Sequence, residues 1–115
     1  DNSLMIENTL PSADQIEKLK KDRTMFIYAG KPSKDYKKFG DEPRIQINDA
    51  FVGLEDIQTS VYEARNKLDE KLQTRFVVGM KIDVKTNAGI VSDIKQQLRE
   101  ANALKVMYIT NTKID

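Results

Sequence analysis

The chain has 115 residues, 19 basic and 18 acidic, for a formal net charge of +1; 39% are hydrophobic, and cysteine and histidine are both absent. The even charge balance speaks against nucleic acid as an obligate partner. The two missing residue types exclude disulfide scaffolds, thiol nucleophiles, Ser-His-Asp catalysis and the commonest zinc sites.

One domain with a single core is the expectation for this length. Residues 1–23 read as a linker. Ser12 with Gln15 has capping-box spacing, but Ile16 and Leu19 make only a thin apolar stripe, and an isolated helix that short is marginal in water. The opening DNSLMIENTL lacks the basic and apolar regions of a signal peptide, and no apolar run approaches the ~20 residues of a membrane span. The folded domain is expected over 24–115. Thr24 to Ala29 (TMFIYA) predicts a strand, and Arg44 to Asn48 (RIQIN) a second one, with Ile45 and Ile47 on one face.

The connection between them, GKPSKDYKKFGDEP, is long for a hairpin. Lys31, Lys34, Lys37 and Lys38, with Tyr36 and Phe39, could meet a polyanion. The preferred reading is a solvated loop whose two aromatics fold back on the sheet. After Asp49, the positions Leu54, Ile57, Val61, Ala64, Leu68 and Leu72 predict the inner face of a helix capped by Gly53, with Glu55 and Asp56 at the positive end of its dipole.

Phe76 to Thr110 reads as strand, turn, helix, turn, strand. Val77, Val78, Met80, Ile82 and Val84 form a strand whose polar turn starts at Asp83. Val91, Ile94, Leu98 and Ala101 mark one helix face, and Lys105 to Thr110 (KVMYIT) a last strand. Two strands joined by such a helix lie parallel with a right-handed crossover. The order β-β-α-β-α-β, with one stripe per helix to bury, predicts an α/β two-layer sandwich: a mixed sheet with both helices on one face. Gly79, inside its strand, is expected to mark a bulge or close packing. Asp83 is expected to accept backbone N–H bonds from its turn rather than act as a catalytic acid, since no histidine, metal-ligand set or phosphate loop accompanies it. No enzyme and no cofactor are expected.

These 35 residues resemble the C-terminal half of the periplasmic domain of the ExbD/TolR family. Asp83, Gly89, Val91, Ile94, Leu98, Ala101, Lys105 and Val106 fall on the family frame without gaps. Ala88 stands where an aromatic is usual, and Asn102 where glycine is usual. Asn is the next best residue for a left-handed helix C-cap. Leu10-Pro11 looks like the Leu-Pro pair that follows the family's membrane anchor.

The resemblance is closer to ExbD, and it implies a proton-driven energy-transducing subunit. Such a subunit is held in the bacterial inner membrane by one N-terminal helix absent from this chain. Its periplasmic domain works with ExbB-like and TonB-like partners in outer-membrane nutrient uptake, and a homodimer is expected. The alternatives are a TolR-like envelope-maintenance domain touching peptidoglycan through the Lys-rich loop, or a free-standing α/β binding module. If Lys105, Val106, Met107, Tyr108, Ile109 and Thr110 form an edge strand, they can pair with a partner strand. Proline at Met107 or Ile109, whichever amide faces the partner, is expected to block that pairing.

Overall fold

The computed structural model describes residues 5–7, 21–83 and 85–109. The strands are β1 (Ile6–Glu7), β2 (Thr24–Pro32), β3 (Arg44–Ile47), β4 (Ala50–Val52), β5 (Val77–Ile82) and β6 (Val106–Ile109). The helices are α1 (Ile57–Asn66), α2 (Glu70–Gln73) and α3 (Ala88–Glu100). The main sheet has the order β4-β3-β2-β5-β6, antiparallel on the β3 side of β2 and parallel on the β5 side. The two-layer α/β sandwich is thus the architecture, and two short strands, β1 and β4, extend the expected order.

Period-two alternation sorts the sheet into two faces. Met25, Ile27 and Ala29 of β2, Ile45 and Ile47 of β3, and Val78, Met80 and Ile82 of β5 are buried toward the helices. From above they meet Ile57 and Val61 of α1 and Ile94 and Leu98 of α3. The helices bond to each other through Gln58, whose Nε2 donates to Gln97 Oε1 at 2.8 Å and to Glu100 Oε2 at 2.9 Å. The other face carries Phe26, Tyr28 and Lys81, whose ammonium lies 4.0 Å from the Phe26 ring centroid and 5.2 Å from that of Tyr28. Burial there raises the Tyr28 pKa above its ordinary value. The ladder runs through Gly79 in unbroken register with Phe26 and Met107, so the glycine marks no bulge.

Residues 5–7 depart from the linker expectation. β1 pairs antiparallel with Pro32 and Lys31, and the Met5 N–H donates to Gln46 Oε1 at 2.8 Å. Gln46 is fully buried, although it lies on the face opposite Ile45 and Ile47. The Leu10-Pro11 pair and the capping-box positions Ser12 and Gln15 lie outside the described residues, as do Val84 and Thr110.

The first helix is shorter than its apolar spacing suggested. Leu54 belongs to a 3-10 turn (Leu54–Asp56), closed by Gly53 N–H donating to Asp56 Oδ2 at 2.8 Å. α1 stops at Asn66, a poor helix former. Asp69 then adopts extended backbone (φ −54°, ψ 146°) and starts α2, its carbonyl accepting from Leu72 N and Gln73 N.

The last helix fits its expected phase. Ile94, Leu98 and Ala101 are all but inaccessible, and Val91 packs against them. Asn102 takes the left-handed conformation (φ 55°) that its place on the family frame implied. Around it the Ala103 N–H donates to Leu98 O and the Asn102 N–H to Arg99 O, the bond pair of a Schellman motif. At the other end Asn87 caps the helix, its Oδ1 accepting from Ile90 N–H at 3.0 Å. Among the described residues Asp83 uses only its main chain, donating to Ala29 O and accepting from Thr86 N–H. Asn87→Ala should therefore cost about 1 kcal/mol in urea unfolding, while the same change at the exposed neighbour Lys85 should cost little.

Candidate partner-binding edge

Among the described residues β6 is the last strand of the sheet and pairs only with β5. The opposite edge, β4, is three residues long and guarded. Tyr36 and Phe39 from the Lys-rich loop fold back onto Phe51 of β4 at ring separations of 6.3 and 5.1 Å, and the Arg44 guanidinium lies 5.0 Å from the Phe51 centroid. The loop is thus the solvated, aromatic-anchored turn expected. Lys31, Lys34, Lys37 and Lys38 remain exposed, with Lys37 bonded to Asp41 at 3.3 Å. Among the described residues no second aromatic ring packs on β6. Leu104, at 91% exposed, leads into it, and Val106, Met107 and Tyr108 are each more than a third exposed. An exposed apolar edge strand invites another strand.

The register decides which backbone groups are on offer. Val78 N–H donates to Lys105 O at 2.9 Å, and Val78 is level with Val106. In a parallel ladder with that register, the amides of Met107 and Ile109 point at β5. The amides and carbonyls of Val106 and Tyr108 point outward. This corrects the expectation for proline: neither Met107 nor Ile109 presents its N–H to a partner. Ile109, moreover, is buried, so its side chain cannot meet an incoming strand.

Side chains divide the same way. Val106 and Tyr108 are level with Val78 and Met80 and share their helix-facing side, while Met107 and Ile109 share the side of Gly79 and Lys81. On the helix side a groove of about 360 Å³ runs along the edge between β6 and α3, lined by Thr86, Val91, Ser92, Lys95, Arg99 and Tyr108. The Lys95 ammonium stands 5.0 Å from the Tyr108 ring centroid. Arg99 is held by Gln96, whose Oε1 accepts from Nη2 at 2.8 Å and from Nε at 3.3 Å.

Of the family-pattern positions, Leu98 and Ala101 lie in the core, Asn102 ends α3, and Gly89 sits in its first turn beside the Asn87 cap. None of these four lines the groove, whereas Val91, also on the family frame, does. Lys95 and Arg99 were passed over in the sequence because helical spacing puts them on a solvated flank; only the position of α3 at the sheet margin brings them beside a free strand.

A larger cleft, about 480 Å³, opens where β2 begins. Asp22, Arg23, Glu63 and Lys67 intermix there, so no single charge is focused on a ligand. Among the described residues no group of three or more metal-ligating side chains converges, and no helix is long and apolar enough to cross a membrane.

Fold and edge together define a two-layer α/β domain whose sheet, among the described residues, ends in an exposed, unpaired strand edge. No protein-family model, curated protein or solved structure matches the chain.

Proposed function

We propose that this chain is the non-catalytic periplasmic domain of an ExbD-like energy-transducing subunit, working with ExbB-like and TonB-like partners from an inner-membrane helix that would precede Asp1. The observation that carries the reading is the βαβ unit of β5, α3 and β6. Its residues follow the family frame without gaps, and among the described residues its last strand is an unpaired, apolar sheet edge.

In such a subunit the work arises in the membrane, where one elementary charge crossing releases ~2.3 kcal/mol per 100 mV. A domain outside that field receives or transmits the work. Strand addition suits the task, because pulling a strand along its axis loads several main-chain hydrogen bonds at once. Either a second copy of the chain or a partner peptide can supply the strand.

Two measurements test the proposal. The coding sequence upstream of Asp1 is expected to encode ~20 apolar residues with an embedded Asp; its absence would refute the ExbD-like assignment. Light scattering with peptide titration is expected to show a twofold dimer or uptake of a strand at β6. A stable monomer that takes up no strand would refute the role of the edge.

A further inference from the structure

Resting on that reading of the edge, we infer that β6 selects an acidic strand from a different protein, with carboxylate side chains at alternate positions seated against Lys95 and Arg99. The first argument is geometric. Lys95 and Arg99 are four residues apart on α3, a rise of about 6 Å, and alternate residues of a strand are about 6.8 Å apart. α3 runs antiparallel to β6 within the βαβ unit. A strand added outside β6 therefore places one helix-facing side chain level with Tyr108, beside Lys95. The next such side chain, toward Val106, falls beside Arg99.

The second argument is charge. Among the described residues neither cation is paired with a carboxylate: Lys95 lies over the Tyr108 ring, and Arg99 bonds to the neutral Gln96. Gln96 occupies Nε and one N–H of Nη2, so the guanidinium is oriented with Nη1 uncommitted. The nearest acid along α3, Glu100, divides its carboxylate between Gln58 of α1 and the Nε2 of Gln96, so it reaches Arg99 only through that neutral amide. Helical spacing puts Asp93 on the far flank. The groove is thus a short cationic channel alongside a row of unpaired main-chain groups, and a carboxylate accepts well from both cations.

The same charges disfavour a second copy as the occupant. Residues 105–109, KVMYI, carry a lysine and no carboxylate. Twofold pairing through β6 would place Val106 and Tyr108 of the second copy in the groove and bring its own Lys95 and Arg99 close to those of the first. Like charges facing one another across an interface are destabilising.

The probes are three capped octapeptides of alternating threonine with glutamate, with glutamine or with lysine, titrated into the whole chain and mapped by amide chemical shifts. The glutamate peptide is expected to bind at β6 about ten-fold more tightly than the glutamine peptide, and to lose that advantage in high salt. The double variant Lys95→Glu, Arg99→Glu should reverse the order in favour of the lysine peptide; both positions are exposed, so the fold should persist. Equal binding of the glutamate and glutamine peptides at β6 would overturn the charge selection and leave strand addition standing. A dimer joined through β6 that excludes every peptide would overturn the choice of occupant. Binding of no peptide by a monomer would remove the edge reading itself.

Discussion

Leu98→Ala is expected to destabilise the domain by ~2–5 kcal/mol. Leu98 is 1% exposed and lies in the cluster formed by Met25, Ile27, Val78, Met80 and Ile94, where the helix layer closes on the sheet. Removing its branched end deletes buried methyl groups and leaves a cavity that the β-branched neighbours on β2 and β5 cannot collapse into, because their χ1 angles are fixed by the strand. The backbone around it should stay put, since the Leu98 carbonyl still accepts from Ala103 N–H and α3 still ends at Asn102. Set against the ~5–15 kcal/mol stability of a typical domain, the loss is large. In thermal melts it should appear as a drop of roughly ten degrees or more. Leu104→Ala is the control: the same atoms are removed from a side chain 91% exposed, and the melt should move little. Equal shifts for the two leucines would mean that α3 is rotated from the phase described.

That phase was legible in the sequence because α3 must bury a stripe on a sheet, and a stripe of Val91, Ile94, Leu98 and Ala101 has only one helical solution. Asn102 was legible for a local reason: few residues other than glycine accept the left-handed conformation. The β3–β4 hairpin was not legible. Its turn is two residues, Asn48 and Asp49, with Asn48 at φ 57°, and β4 is only Ala50-Phe51-Val52. A three-residue strand carries too few positions for alternation to register, and its identity depends on Phe51 lying opposite Gln46.

The break between α1 and α2 was hidden by Leu68 and Leu72, which continue the apolar spacing although Asp69 has left the helix. The burial of Gln46 had no sequence signal, because its side chain meets a backbone N–H from Met5, 41 residues away. For the candidate site, sequence located the strand but not the groove. Lys95 and Arg99 look like any solvated flank until β6 fixes which side of α3 overhangs the free edge.

Proline scanning along β6 should separate the outer face of the strand from the inner one, and alternate residues should give opposite results. Val106→Pro removes an amide that points away from β5. Lys105 O still accepts from Val78 N–H, and an edge strand tolerates proline where its N–H faces solvent, so the fold should survive with a melt close to that of the parent chain. The same change deletes one of the two donors that an added strand can use and sets a ring in its path. Peptide uptake, or dimerisation if the second copy is the occupant, should fall at least about ten-fold for the loss of one net hydrogen bond with steric obstruction. Met107→Pro acts in the opposite sense. It deletes the N–H directed at Val78 O, and Val78 is fully buried, so that carbonyl loses its donor where water cannot replace it. The cost should be about 1–3 kcal/mol of stability before any clash of the ring with β5 is counted. Binding by whatever fraction stays folded should be reduced less than in Val106→Pro, because both outward amides remain. Comparing the two variants by urea unfolding and by peptide titration gives a crossed pattern: stability lost at 107, binding lost at 106. If both variants lost stability alike, the pairing of β6 with β5 would be in a different register from Val78–Val106. If Val106→Pro bound strands as well as the parent chain, the outward edge of β6 would not be where partners add.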